Sequence, residues 1–146
     1  MSFEHIRAAC SPEEWAVRVN LAACYRLIAQ YGFSDLIANH ISARVPGENH
    51  AFLINPYGML YEEITASSLI KIDVDGHVLL KPDFGDPDYG INRAGFVIHS
   101  AIHRARPALE CVIHTHTWTG MAISSLDCGL LPVNQTAMRL AHIATH

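Results

Sequence analysis

Apolar positions change their period along the chain, and each change marks an element. Residues 12–30 carry Trp15, Val19, Ala22 or Ala23, Arg26 and Leu27 at three- and four-residue intervals, the spacing of one helix face. Ser11-Pro12-Glu13-Glu14 opens that helix with a hydroxyl cap, a proline in the first turn and Glu14 set to close a capping box. Gly32 supplies the stop. Residues 38–45 and 51–54 read as two strands joined by the turn Pro46-Gly47-Glu48-Asn49, and Asn55-Pro56-Tyr57-Gly58 makes the next turn. Residues 62–69 form a short helical or turn segment. Residues 69–74 and 77–80 pair as a second hairpin about Asp75-Gly76. The prolines, glycines and aspartates of 81–90 predict a surface loop.

The later third repeats the logic. Ala94, Val97, Ile98, Ala101 and Ile102 predict a helix over 92–104, and 111–114 reads as a buried strand after the turn signal Arg106-Pro107. A further helix is expected at 119–126 and a short strand or loop at 130–133. Residues 137–143 have no single reading. Helix, two hairpins, helix, strand, helix predicts a mixed or antiparallel sheet with helices packed on it, rather than strict βαβ winding.

Composition narrows the classes. A chain of 146 residues with 50% hydrophobic and 16% charged side chains has the makings of one domain with a sizeable core. A net charge of −4 with scattered signs leaves no basic footprint for nucleic acid. No apolar run is long enough for a transmembrane span, and Met1-Ser2-Phe3-Glu4-His5 carries no signal-peptide pattern. Cys10, Cys24, Cys111 and Cys128 show no disulfide or Cys-x-x-Cys spacing, so buried thiols in a reducing cytoplasm are expected.

Chemistry concentrates at His114-Thr115-His116. Residues two apart on a strand project from one face, so two imidazoles leaving a strand end together offer half of a divalent-metal site. Two partly exposed histidines with no ligand are the competing reading. Ten histidines are present, and His99, His103, His114, His116, His142 and His146 crowd the C-terminal third.

The ordered set Asn55-Pro56-Tyr57-Gly58, Tyr61-Glu62-Glu63-Ile64-Thr65, Ile70-Lys71-Ile72-Asp73, His99 with Arg106-Pro107, and Val112-Ile113-His114-Thr115-His116-Thr117 resembles the class II aldolase/adducin family over most of the chain. Asn92-Arg93-Ala94-Gly95-Phe96 and Cys128-Gly129-Leu130-Leu131-Pro132-Val133 are similar to its adducin-like branch. The resemblance implies a three-layer α/β/α sandwich with a mixed, largely antiparallel sheet. It also implies a single, C-terminally incomplete domain over 1–146 and a homo-oligomer. The family's zinc or other divalent ion sits on three histidines and polarises a carbonyl or enediolate oxygen of a small substrate. Two of those histidines map onto His114 and His116. Asn39 and Ser42, with His40 between them, map onto one substrate- or phosphate-binding loop, and Gly58 onto another.

Two departures accompany the match. The family's third metal histidine lies in a later segment, so a third ligand would come from His99, His142, His146 or another subunit. Where aldolase members carry a glutamate acid/base, this chain has Gly95, which moves no proton. His40 is expected to be a structural residue of its hairpin, and His99 and His103 packing or surface residues. Three functions follow: a metal-dependent lyase-like enzyme on a small oxygenated substrate, a non-catalytic adducin-like oligomerisation or protein-binding domain, or a truncated product without a function of its own.

Overall fold

Pairing between strands decides where the site's side chains go. The computed structural model describes residues 4–140. The chain divides into two compact units, Met1–Thr115 and His116–His146. The first contains α1 (Glu4–Ala9), α2 (Pro12–Gln30), β1 (His40–Val45), β2 (Glu48–Ile54), a 3-10 turn (Tyr61–Glu63), β3 (Ile70–Asp73), β4 (Val78–Leu80), α3 (Arg93–Ala105) and β5 (Cys111–His114). Its five strands run in the order β4-β3-β2-β1-β5, and every neighbouring pair is antiparallel. The sheet, expected to be mixed and largely antiparallel, is antiparallel throughout among the described residues.

Alternation along the strands sorts their side chains into two layers. Ile41, Ala43, Val45, Ala51 and Leu53 meet Leu21, Ala22 and Tyr25 of α2 in one cluster. Phe52, Ile54, Ile70 and Ile72 form the opposite cluster with Phe84, against which Phe96 of α3 packs. Helix, sheet and helix make the three layers of an α/β/α sandwich. Each fully buried Ile, Leu or Phe contributes roughly 1.5–3 kcal/mol relative to exposure.

The helix starts follow their sequence signals. Ser11 Oγ accepts from Glu14 N–H at 3.1 Å, and Asn92 Oδ1 caps α3 by accepting from Ala94 and Gly95 N–H at 3.0 and 3.3 Å. At the end of α2, Gly32 takes φ +69° and Phe33 N–H closes back on the Ile28 carbonyl at 3.0 Å. The first hairpin is tighter than expected, because only Pro46 and Gly47 separate the strands and Gly47 takes φ +76°. At the second, Asp73 Oδ1 accepts from both Asp75 and His77 N–H at 2.9 Å.

Both long helices are rotated from their expected faces. On α2 the buried stripe is Glu14, Arg18, Leu21, Ala22 and Tyr25, while Val19 and Leu27 are exposed. On α3 it is Gly95, His99, Ser100 and His103, while Val97 and Ile98 are exposed. Polar partners inside are the reason. Glu14 joins Arg18 at 2.8 Å and Lys71 at 3.0 Å, and Arg18 Nη1 donates to the Leu69 carbonyl at 2.8 Å. Burial alone would raise the Glu14 pKa, but hydrogen bonds from Arg18, Lys71 and Cys10 outweigh it and hold the carboxyl low.

Two further expectations are corrected. Among the described residues β5 pairs only with β1 and lies at the sheet edge, so Cys111 and Ile113 are exposed rather than buried. The four thiols are free, with Cys10 and Cys24 half-buried and Cys111 and Cys128 exposed. The second unit holds α4 (Trp118–Ser124), capped by Thr117 Oγ1 accepting from Gly120 N–H at 3.0 Å, and α5 (Gln135–Leu140). Residues 130–133 form neither helix nor strand. Among the described residues no helix is long and apolar enough to cross a membrane.

Candidate functional site

Antiparallel register sets His40 of β1 directly opposite His114 of β5. Residues so paired share a sheet face, and the two imidazoles stack with centroids 4.6 Å apart and planes 13° from parallel. Ser42, two residues on, lies on the same face, which is the face covered by α3. From α3, His99 and His103 project four residues apart along its buried stripe.

These groups form a continuous hydrogen-bonded string. His40 Nδ1 lies 2.7 Å from His99 Nε2, and His99 Nδ1 lies 2.6 Å from Ser42 Oγ. Ser42 Oγ lies 2.8 Å from His103 Nε2, and Arg44 Nη2 reaches His103 Nδ1 at 3.2 Å. His40, Ser42, His99 and His103 are all buried. Burial first, then the neighbouring His40, His103 and His114, pushes the His99 pKa down to about 3. Burial and the Arg44 charge lower that of His103 to about 4, against an opposing pull from the Leu109 carbonyl. Both rings are neutral at pH 7.

Gly95 has a steric role here. A Cβ at this position would stand 2.6 Å from His40 Cδ2 and 2.8 Å from Cγ, closer than side chains tolerate. Only glycine lets the His40 ring lie against the first turn of α3.

The residues singled out from sequence are distributed as follows. His114 ends β5, and Tyr61 Oη donates to its carbonyl at 3.4 Å. His116 lies beyond the strand, as the first residue of the second unit, so strand alternation does not extend to it. Asn39 is fully buried; its Oδ1 accepts from Asp35 N–H, while its Nδ2 has no partner among the described residues. Ser42 has its hydroxyl between two imidazoles. Gly58 takes φ +108°, and a Cβ there would meet the Tyr89 ring at 2.9 Å, so the turn requires glycine. His99 has both ring nitrogens engaged and makes a poor third ligand. His142 and His146 lie outside the described residues.

The histidine string is the feature sequence reading passed over. Its signal was His40-x-Ser42 on a strand facing His99-x-x-x-His103 on a helix, two same-face spacings that meet only after folding. Imidazoles suit zinc in kind, but no group of three His, Cys, Asp or Glu that could hold a metal ion occurs among the described residues. Within 4–140, therefore, the donor set matches in chemistry and falls short in number. A cavity of about 530 Å³ lies elsewhere, lined by Cys24, Ala43, Val45 and Cys111 on the α2 side of the sheet.

Residues 19–146 match the family model described as the class II aldolase and adducin N-terminal domain. Alpha-adducin of Rattus norvegicus is 47% identical over 133 residues, covering 91% of this chain and 18% of the relative. An aldolase II superfamily protein from Pseudomonas syringae superposes with a TM-score of 0.87 at 51% identity, covering 93% of this chain and 53% of that one. L-fuculose 1-phosphate aldolase from Glaciozyma antarctica superposes at 0.81 with 34% identity, covering 89% and 51%. The chain spans about half the length of the curated bacterial relatives it matches.

Proposed function

The chain belongs to the class II aldolase/adducin family, and from that premise we propose that it supplies part of a divalent-metal site acting on a small oxygenated substrate, with lyase-type chemistry. The observation that carries the reading is His114, placed at a strand end and stacked on a string of mutually hydrogen-bonded imidazoles. His114 and His116, two apart in the chain, would be donors to zinc or another divalent ion, with the remaining ligands outside 4–140. When bound, the ion polarises a substrate carbonyl or enediolate oxygen. Asn39 Nδ2, buried and without a partner among the described residues, is the donor best suited to a substrate oxygen, and Gly58 lets its turn pack against Tyr89. The fuculose phosphate aldolase among the structural relatives supports a hydroxylated, phosphorylated substrate class. A homo-oligomer in a reducing cytoplasm suits the family and the four free thiols.

Equilibrium dialysis of the intact chain against zinc tests this. About one equivalent should be retained, and lost in the His114→Ala, His116→Ala double variant while circular dichroism stays unchanged. A wild-type protein that retains none overturns the metal reading.

Gly95 favours a second reading, a non-catalytic adducin-like oligomerisation or binding domain. An imidazole packs where a side chain at position 95 would start. Zinc-free protein whose oligomeric state survives the double substitution would favour it.

A further inference from the structure

The string of buried polar groups has a direction that can be read from one end. Arg44 is a donor only, and its Nη2 faces His103 Nδ1 at 3.2 Å while also donating to the His103 carbonyl at 2.8 Å. His103 Nδ1 therefore accepts, and a neutral imidazole accepting there carries its hydrogen on Nε2. That hydrogen points at Ser42 Oγ, 2.8 Å away. The Ser42 hydrogen then has His99 Nδ1 as its acceptor at 2.6 Å. His99 in turn carries its hydrogen on Nε2 and donates to His40 Nδ1 at 2.7 Å. His40 is left with its own hydrogen on Nε2.

One group at the head of the string pulls the other way. The Leu109 carbonyl raises the His103 pKa and so competes for a ring hydrogen, whereas Arg44 Nη2, which can only donate, faces Nδ1. Arg44 Nε also donates to that carbonyl at 3.3 Å, so the two groups share it as an acceptor.

We propose that Arg44, His103, Ser42 and His99 are positioning residues that hold His40 as a neutral Nε2–H donor, its ring stacked on His114 and laid against Gly95. Two further observations agree with the arrangement. The absent Cβ at Gly95 admits the Cδ2–Nε2 edge of His40, where a methyl would stand 3.0 Å from Nε2. The low pKa values of His99 and His103 keep the intervening rings neutral, as an aligned string requires. A hydrogen fixed on His40 Nε2 suits an oxygen that carries negative charge. That consequence, unlike the alignment itself, rests on reading His114 as a metal donor.

Imidazole tautomers are directly visible in long-range ¹H–¹⁵N correlation spectra of the intact ¹⁵N-labelled chain. At pH 7 and without added metal, His40, His99 and His103 should each show the neutral Nε2–H form alone. Ser42→Ala breaks the string in its middle and should cost His40 its single tautomer. Arg44→Met removes the head and should release His103 to the Nδ1–H form. A merely structural Ser42 would leave the His40 tautomer where it was. An Nδ1–H or protonated His40 in the wild type overturns the proposal whether or not either variant folds, and so does an unchanged His40 tautomer in folded Ser42→Ala. Because these spectra need no metal, an aligned string in a chain that binds no zinc sinks the metal reading and leaves this inference standing. Zinc binding with a mixed His40 tautomer does the reverse.

Discussion

Glu14 shows how one side chain holds an interface together. Its carboxylate binds Arg18 within α2 and Lys71 on β3, and Lys71 also reaches Glu48 of β2 at 2.6 Å. Glu14→Ala would leave Arg18, which is fully buried, without its counter-charge. Denaturant titration should show a loss of about 3–5 kcal/mol, the usual cost of stranding a buried charge. Gly95 shows the steric counterpart. Gly95→Ala forces a methyl onto His40 and should destabilise by about 1–3 kcal/mol, with part of the loss recovered when His40 is also truncated. A double-mutant cycle read by chemical denaturation checks that coupling. Gly95→Glu meets the same wall at its Cβ, so restoring a carboxylate there displaces His40 and should not by itself create retro-aldol turnover.

Elements were legible in the sequence where caps and turns announce them. Ser11, Gly32, Pro46-Gly47, Asp75-Gly76 and Asn92 each bound an element close to its observed end. Helix phase was not legible. Apolar periodicity points to Val19 and Leu27 on α2 and to Val97 and Ile98 on α3, yet all four are exposed. Periodicity assumes that apolar side chains go inward, and it fails when buried charges and imidazoles satisfy one another across elements. The phase is testable on α2. Val19→Lys should change stability by no more than about 0.5 kcal/mol, whereas Leu21→Ala should cost about 2–5 kcal/mol in thermal or denaturant unfolding.

At the scale of the whole chain, the neutral buried histidines set the response to acid. His99 and His103 have folded pKa values of about 3 and 4, below the ordinary value of 6.5 expected after unfolding. The unfolded chain therefore binds more protons between those limits. Their contribution is complete above pH 6.5 and is lost as pH falls through that value towards 4 and 3. His40 and His114 face His99, and Arg44 faces His103; their influence is already part of those lowered values. By about pH 5 the loss should reach on the order of 2 kcal/mol per histidine. Glu14, with its pKa held below 4.5, adds a second loss only at lower pH. His77 runs the opposite way, since Asp73 raises its pKa, but that pair is on the surface and screened. Denaturation midpoints measured from pH 8 to 4 should fall in two stages, the first before the carboxylates titrate. A flat profile between pH 7 and 5 would contradict neutral burial of His99 and His103.

By itself the sequence determined family, antiparallel hairpins, helix limits and the identity of the strand that ends in His114, because local backbone chemistry and ordered motifs are written in consecutive residues. Tertiary structure alone decided which face of each helix turns inward and which histidines meet. His40 and His99 are 59 residues apart in the chain and 2.7 Å apart in space. No periodicity within one segment encodes a bond whose two halves lie on different elements.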